Sequence, residues 1–284
     1  IPPQIFDHGL ARKRRARAAK RGPSFLIERC AQDAADRVSD INRVFERALI
    51  LGSKQFIDSV IAFLPQDKKP LHINSGTITE TENGIVILNP KGESAISGET
   101  YDLIISGLRL QTANDLPGIL YTLKDRLRPD GLFLGAMFGG ETLTQLRQSF
   151  YAADEKIMQG MAAHIFPFAD YSQAAALLQR SGLALPVIDT DRFTASYKAF
   201  QTLIDDLRDL GETNSLTARR NAYLGKAFKS ALTTHYFEAF SKDGKYPATF
   251  EILWLTGWAP HDSQQKPLKP GSAKMRLADA LGTQ

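Results

Sequence analysis

The sequence is poor in cysteine and in clustered histidine. Cys30 is its only cysteine, and none of its five histidines forms an H-x-H or H-x-x-x-H pair. One cysteine can form neither an intramolecular disulfide nor a thiolate metal cluster, so we expect a reducing, cytoplasmic location and no metal site. The sequence also lacks a G-x-S-x-G motif, a P-loop and a Cys–His arrangement. These absences exclude the common nucleophilic and phosphoryl-transfer enzymes.

Long apolar runs are absent as well. No segment approaches the ~20 apolar residues that span a membrane, and none has the charged, apolar and small-residue order of a secretory signal. Hydrophobic residues make up 43% of the chain and charged residues 23%, which are ordinary values for a globular protein. A chain of 284 residues can therefore form one large domain with an insertion.

Acidic residues are missing from residues 8–21, a basic arm that contains seven Lys or Arg. Without those seven of its 35 basic residues, the chain has 28 basic and 31 acidic residues. The alanines of the arm favour a solvated helix. A surface for nucleic acid or anionic lipid is one alternative, although no aromatic side chains interleave for base stacking. Docking on a membrane-associated partner is another.

A strand–helix–strand pattern is present between Tyr101 and Arg147. The runs DLIISGL and GLFLGAMF are almost entirely apolar, as expected of parallel strands that are covered on both faces. Apolar residues recur at helical spacing between residues 116 and 127, and a Pro-Asp-Gly turn closes that helix. This βαβ unit predicts an open, doubly wound α/β sheet.

The same criteria divide the whole chain into four parts. Residues 1–46 are predicted to hold the basic arm and N-terminal helices, 47–139 a Rossmann-like core, 140–262 helical insertions with the closing strands, and 263–284 a surface tail. Strands are predicted near 48–52, 70–74, 84–88, 102–107, 131–137, 184–197 and 250–260. Helical segments are predicted over 23–47, 140–183 with an interruption at Pro167, 197–210 and 216–240.

Several motifs resemble those of a known family. YDLIIS, NDLP, LRPDG and GAMFGGETL resemble the second half of a class I S-adenosylmethionine (SAM) methyltransferase core. Together with HIFPF, GETN and GWAPHDSQ, they resemble more narrowly the arginine-hydroxylase type of complex I assembly factor and the malonyl-carrier methyltransferases of the biotin pathway. The resemblance implies a class I methyltransferase fold with lid insertions. It also implies SAM as cofactor and a respiratory complex I subunit as partner.

The expected SAM contacts differ from the family pattern. In that pattern the first strand ends in an acidic residue before a glycine-rich turn. In ALILGSKQF, however, Ile50 stands at the acidic position, and Lys54 and Phe56 stand at later glycine positions. Gly52 is retained. Carboxylates expected at the ribose and at the adenine are replaced by asparagines.

Five residues are the candidate cofactor contacts: Gly52, Ser53, Asn74, Asn89 and Ser106. Asn74 stands where the ribose carboxylate is expected, and an amide binds hydroxyls more weakly than a charged group does. Asn89 stands at the adenine position. The acidic residues expected to bind the methionine part, the ribose and the adenine of SAM are all replaced in this chain. We therefore expect SAM binding to be weak or absent.

Three residues are candidates for catalysis or substrate contact: Glu141, His164 and Glu212. Glu141, followed by Thr142, comes after the fifth strand, where it would orient a guanidinium or simply begin a helix. His164 would act as a general base or orient a substrate, and packing is the alternative. Glu212 is a substrate contact by resemblance, or a turn residue.

Further polar residues are expected near the same edge of the sheet. Asp189 and Asp191 alternate on a strand and therefore share one face, where they would grip an arginine or a metal, or lie in solvent. By resemblance, Asn214 and the segment at His261 border the pocket. The carboxylates, with Glu141 and Glu212, would line an acidic groove that accepts a basic peptide.

The sequence therefore predicts a methyltransferase-fold protein with a degenerate SAM site. Such a protein would act on a protein partner or chaperone it, and would reach the inner face of the membrane through that partner. Two alternatives stay open. One is an active SAM-dependent methyltransferase of a small-molecule or carrier-bound acid, and the other is a nucleic-acid binder that uses the basic arm.

Overall fold

Seven strands form one mixed sheet in the order β3-β2-β1-β4-β5-β7-β6 in the computed structural model, which describes residues 3–81, 84–89, 99–158, 160–221 and 223–265. The strands are β1 Arg47–Leu51, β2 His72–Thr81, β3 Gly84–Leu88, β4 Tyr101–Gly107, β5 Leu127–Phe138, β6 Ala184–Tyr197 and β7 Tyr246–Trp258. The helices are α1 His8–Ala18, α2 Phe25–Ser39, α3 Lys54–Phe63, α4 Leu116–Lys124, α5 Thr144–Ala153, α6 Tyr171–Arg180, α7 Phe200–Leu210 and α8 Lys226–Phe240. Within these ranges, no helix has the length and apolar character needed to cross a membrane.

The predicted strand–helix–strand unit is present as β4, α4 and β5. The two strands pair in parallel from Leu103↔Leu132 to Gly107↔Ala136, and every residue of β4 is buried. Helix α4 begins after Asp115, whose side chain accepts a hydrogen bond from the Gly118 amide at 2.9 Å. The doubly wound α/β fold is therefore confirmed.

The second and third strands differ from the prediction. β2 continues past residue 74 to Thr81, and β3 pairs with it antiparallel, from Thr77↔Leu88 to Thr81↔Gly84. Only two residues separate these strands in the sequence, far fewer than the dozen or so that a parallel crossover needs. The alternation in TITET is typical of a half-exposed antiparallel strand. Next to β1, the carboxyl edge of the sheet is therefore covered by a hairpin.

Two helical segments are shorter than predicted. The segment 23–47 holds one helix, α2, rather than a pair. Helix α8 begins at Lys226 instead of residue 216, because Leu216 pairs with Phe6 in an isolated β-bridge and Gly225 occupies the N-cap position. The interruption predicted at Pro167 is present as an irregular segment between α5 and α6.

Both faces of the sheet are covered by apolar layers, and β7 contributes to each. Phe250, Ile252 and Trp254 are buried in the layer that contains α2, α3, α7 and α8. Leu253 and Leu255 are buried in the opposite layer, with α4 and α6. Successive side chains of a strand point to opposite faces, so the apolar residues of β7 stabilise both layers.

The basic arm forms a helix, α1, as its alanines predict, with Arg12 and Lys13 exposed, but one face of the helix packs on the fold. Asp7 caps the helix by accepting a hydrogen bond from its first turn, and Ala11 and Ala18 are buried. Arg21, just beyond the helix, forms ion pairs with Asp205 and Asp209 of α7. These ion pairs hold the C-terminal end of α1 against α7.

His8 attaches the start of α1 to the β2–β3 hairpin. Its Nε2 lies 3.0 Å from Oε2 of Glu80, which also accepts hydrogen bonds from the backbone amides of Asn114 (3.0 Å) and Asp115 (2.6 Å). The hydrogen bond to Glu80 raises the pKa of His8. Burial alone would raise the pKa of Glu80, but the hydrogen bonds from His8 and the two amides together lower it.

This contact predicts a pH dependence of stability. A raised folded-state pKa means that protonated His8 stabilises the fold below its ordinary pKa of about 6.5, and that this stabilisation is lost as pH rises through the folded-state pKa. We expect wild type to lose stability relative to His8→Gln as pH rises above about 6.5. Urea unfolding across pH measures this, with the exposed His261→Gln as matched control. Parallel profiles for wild type and His8→Gln would contradict the prediction.

Candidate functional site at the carboxyl edge of the sheet

A cavity of about 720 Å³ lies beyond the carboxyl ends of β4 and β5, and we call it the edge cavity. Side chains from α1, α5, α7 and the segments 164–168 and 212–224 surround it. Its apolar lining is Leu143, Leu146, Phe150, Ile165, Phe166, Phe168, Ile204, Leu207 and Leu224. Its arginines are Arg14, Arg17, Arg21, Arg208, Arg219 and Arg220. The cavity therefore combines an apolar surface with a strongly cationic one.

Glu212 lies in the wall of the edge cavity, and its side chain is 5% exposed. Its Oε1 accepts hydrogen bonds from Arg15 Nε at 2.9 Å and from Arg109 Nη1 at 2.7 Å. Arg15 Nη2 also donates to Thr112 Oγ1 at 2.6 Å. Burial lowers the pKa of Arg109 to about 10, so this guanidinium is still charged at neutral pH. One carboxylate thus joins α1, the loop after β4 and the loop after α7.

His164 lies in the same wall beside a buried acid. Its Nε2 is 3.0 Å from Oδ2 of Asp154, which is fully buried and also accepts from the Ala162 amide at 2.9 Å. The ring stacks on Phe150 with centroids 4.2 Å apart. Burial lowers the pKa of His164 despite the acid, so the ring is neutral at neutral pH. With its proton on Nε2, Nδ1 is an acceptor, as in a general base or a substrate-orienting histidine.

Glu141 is exposed and lies outside the edge cavity. Its loop is held by Glu251 of β7, whose buried carboxylate accepts from the Glu141 amide at 3.1 Å and from Arg192 Nη2 at 2.8 Å. The Thr142 hydroxyl accepts from the Glu251 amide and donates to its carbonyl. A side chain at Gly139 would collide with Glu251. The segment Gly139–Thr142 is therefore a structural loop that is hydrogen-bonded to β7.

Asp189 and Asp191 are paired with arginines of α2. Asp189 forms an ion pair with Arg37, and Asp191 Oδ2 lies 2.9 Å from Arg29 Nη2. The two carboxylates do share one face of β6, as the alternation predicts. That face is the one covered by α2, so the arginine they grip belongs to the same chain.

The acidic groove predicted from the sequence does not form, and this expectation is wrong. Of its four carboxylates, Glu212 alone lines the edge cavity, and it is already bound to two guanidinium groups. Asn214 also lines the cavity and donates to the Ala163 carbonyl at 2.7 Å, whereas His261 lies outside. Asp189 and Asp191 pair with arginines of α2, and Glu141 is exposed outside the cavity. None of the three offsets the arginines that line the cavity.

Phe56 fills the space between the ends of β1 and β4, where the resemblance places the methionine part of SAM. Its ring is 1% exposed. A Cβ at Gly107 would collide with this ring, and a Cβ at Gly52 would lie 2.9 Å from it. Ser53 caps α3 by accepting from the Phe56 amide at 3.2 Å. The space that Phe56 shares with Arg109 has no room for a water molecule. Gly52 and Gly107 thus leave space for the ring of Phe56.

The other predicted cofactor contacts are dispersed. Asn74 lies within β2 and donates to Glu99 and, at 2.9 Å, to the Tyr101 hydroxyl. Ser106 is buried in β4, and within the described ranges its hydroxyl has no hydrogen-bond partner. Asn89 follows β3, the strand at one end of the sheet. Of the five candidates, Gly52 and Ser53 thus lie together, beside Phe56.

Sequence reasoning missed three residues that build the site: Arg109, Asp154 and Glu251. Arg109 and Glu251 each interrupt an apolar run, in GLRLQ and FEILWL. A charge in such a run needs a buried partner, so this signal was available. Asp154 gave no such signal, because the sequence Asp-Glu-Lys is typical of a solvated helix end. In the described part of the chain, no group of three or more His, Cys, Asp or Glu side chains could hold a metal.

Comparison with known proteins identifies two kinds of relative. The chain is 34% identical over 286 residues to arginine-hydroxylase NDUFAF5, mitochondrial, of Rattus norvegicus, a match that covers 97% of this chain and 83% of the relative. It is 40% identical over 190 residues to the Dictyostelium discoideum protein of that name, covering 66% of this chain and 43% of that protein. It is 34% identical over 165 residues to malonyl-[acyl-carrier protein] O-methyltransferase of Xylella fastidiosa (strain M23), covering 58% and 54%.

Other comparisons give more distant matches or none. No protein-family model matches the chain. A solved phosphoethanolamine N-methyltransferase 2 of Haemonchus contortus, in complex with S-adenosylhomocysteine, is 10% identical with a TM-score of 0.42, and the match covers 81% of this chain and 52% of that one. The two kinds of relative found by sequence are the ones that the motifs indicate.

The Glu212 contacts predict an effect on stability. Replacing this carboxylate by an amide leaves two guanidinium groups without their anion, and breaking a buried ion pair typically costs about 3 kcal/mol or more. We therefore expect Glu212→Gln to lower the free energy of unfolding by about 3 kcal/mol, as measured by urea unfolding.

Glu141→Gln is the matched control for this prediction. The Glu141 side chain is exposed, so its neutralisation should change the free energy of unfolding by less than about 0.5 kcal/mol. Equal effects of the two substitutions would contradict the buried-pair interpretation.

Proposed function

This chain belongs to the arginine-hydroxylase NDUFAF5 family, and we propose that it acts on or chaperones a protein partner without bound SAM. The partner implied by the sequence motifs is a subunit of respiratory complex I, which the chain would meet from the cytoplasm at the inner face of the membrane. Phe56 is the observation that carries the proposal, because it occupies the methionine end of the family's cofactor position.

The methionine end of the position offers neither space nor charge for SAM. For the methionine part to lie against Gly107, the Phe56 ring would have to leave a site in which it is 1% exposed. Expelling a buried aromatic ring costs several kcal/mol. Ile50, buried in β1, cannot hold the cofactor's amino group as a carboxylate would. These residues do not fit the cofactor that the family implies.

The nucleoside end is covered as well. In the family pattern, carboxylates near the ends of the second and third strands bind the ribose and the adenine. Here β2 runs past that edge into a hairpin with β3. The first acid after the edge, Glu80, is occupied by His8 and by the amides of Asn114 and Asp115. Glu80 is therefore not free to accept hydrogen bonds from the ribose hydroxyls of SAM.

A surface next to the edge cavity supports binding of a protein partner. A second cavity of about 580 Å³ lies across the 163–168 segment and is lined by Ile5, Tyr151 and Pro167, among others. Ile5 and Tyr151 are 40% and 42% exposed, and Met161, just before this segment, is 69% exposed. Large apolar side chains grouped beside a cavity are typical of protein interaction sites.

The two alternatives have less support. An active methyltransferase would need the SAM contacts that Phe56 and the hairpin replace. A nucleic-acid binder would bind phosphates with the basic residues along the whole arm. Arg15 and Arg21 of that arm are instead paired with Glu212 and with the acids of α7.

A calorimetric titration with SAM and S-adenosylhomocysteine tests the first half of the proposal. Two lost charged contacts, each worth about 2 kcal/mol, would move a micromolar ligand toward millimolar, so we expect a dissociation constant of about 1 mM or weaker. Phe56→Ala should lower stability by about 3 kcal/mol without creating tight SAM binding, since the other contacts stay absent. Low-micromolar SAM binding by wild type would refute the proposal and favour an active methyltransferase.

Co-purification with complex I assembly intermediates tests the second half. Tyr151→Asp places a charge on the proposed partner surface, and we expect it to reduce capture by more than about tenfold, because a few aromatic residues dominate typical interfaces. Tyr121→Asp is the matched control, since Tyr121 is 57% exposed on α4 and lines neither cavity. Full capture by Tyr151→Asp, or equal loss in both variants, would argue against this surface.

A further inference from the structure

The arginines of the edge cavity are not balanced by carboxylates. Arg21 and Arg208 pair with acids of α7, and Arg219 pairs with Asp7. In the part of the chain that the structure describes, no carboxylate forms an ion pair with Arg14, Arg17 or Arg220. Among these described residues the charge of Asp7 also acts on Arg14, but none of the three guanidinium groups has an ion-pair partner.

All three arginines line the edge cavity, and two of them donate hydrogen bonds to backbone carbonyls. Arg14 donates to the Asn214 carbonyl, and Arg220 donates to the Gly160 carbonyl at 3.0 Å. Burial lowers the pKa of Arg14, and the like charges of Arg219 and Arg17 lower it further. Crowding of like charges in a partly buried wall is unfavourable unless an anion joins them. A bound carboxylate or phosphate would relieve this repulsion through charge-assisted hydrogen bonds.

The opposite side of the edge cavity is apolar. Leu143, Leu146 and Phe150 contribute from α5 and the residue before it, and Ile204 and Leu207 contribute from α7. His164, whose pKa is lowered by burial, adds a neutral ring stacked on Phe150. A volume of about 720 Å³ lies within the usual range of small-molecule pockets.

We propose that the edge cavity binds an amphipathic anion, that is, a molecule with one apolar chain that ends in a carboxylate or a phosphate. The anionic head meets Arg14, Arg17 and Arg220, and the chain lies on the apolar wall. An inorganic anion alone would leave that wall wet, and a neutral alkane would leave the guanidinium groups without an anion. This inference goes beyond the proposed function and does not depend on it.

Binding of matched single-chain probes to the full chain tests the proposal. Dodecanoate and dodecyl phosphate are the anionic probes, dodecanol and dodecyltrimethylammonium share the chain without the negative charge, and inorganic phosphate shares only the head. All are titrated by calorimetry below their micelle-forming concentrations. We expect saturable binding of at least one anionic probe, at least about tenfold tighter than the neutral or cationic probe. The preferred head shows whether the natural ligand is a carboxylate or a phosphate.

Two comparisons locate the binding in the edge cavity. Arg17→Gln combined with Arg220→Gln should weaken binding of the preferred anionic probe by at least about tenfold and leave dodecanol unchanged. Arg12→Gln is the matched control, because Arg12 is exposed on the same helix and does not line the cavity. Each methylene removed from the preferred probe should weaken binding about threefold to fourfold, if the chain lies on the apolar wall.

Several outcomes would overturn the proposal. Equal binding of the neutral, cationic and anionic probes would mean a non-selective apolar surface. Inorganic phosphate that binds as tightly as the long-chain anions would mean a surface anion site without a chain site. Loss of binding in Arg12→Gln equal to that in the double variant would place the anion elsewhere, and absence of any saturable binding would remove the site.

Discussion

The buried carboxylate of Glu212 is the contact on which the arrangement of this edge depends. It receives Arg15 from the N-terminal helix and Arg109 from the loop after β4, and it lies directly after α7. Three segments that are distant in sequence are therefore fixed at one point. Charged groups this buried are stable only when they are paired, so the N-terminal helix cannot leave without exposing two unsatisfied groups. The basic arm is thus part of the site.

Phe56 shows how glycines at the strand ends of a nucleotide fold can serve packing within the protein. The glycines at the ends of β1 and β4 persist, yet the ring that lies between them needs their small size. A cofactor cleft left empty would cost stability in proportion to its volume. An aromatic ring buried against these glycines contributes packing free energy at the ends of β1 and β4.

The sequence predicted the parts of the fold that depend on local pattern. The unit from β4 to β5 was predicted because buried parallel strands read as continuous apolar runs. The β2–β3 hairpin was not, since its strands were assigned from a family pattern and the alternation in TITET was overlooked. Glu212 was found through the family resemblance, and His164 as a histidine beside aromatic residues in a segment expected over the carboxyl edge. Their partners Arg109 and Asp154 were missed, because pairing across more than a hundred residues or within a charged run leaves no periodic signal.

The distribution of charge explains why one half of the carboxyl edge is closed and the other open. Near β1 and β2, two polar groups that could have faced a ligand have partners within the protein, as Glu80 has in His8 and Asn74 in Tyr101. Beyond β4 and β5, the helices supply more arginines than the local acids neutralise. A protein wall with surplus cations over apolar side chains stays solvated until an anion with apolar surface fills it. The two halves of the edge therefore differ in charge, and the half beneath the N-terminal helix is the one with a surplus of arginines.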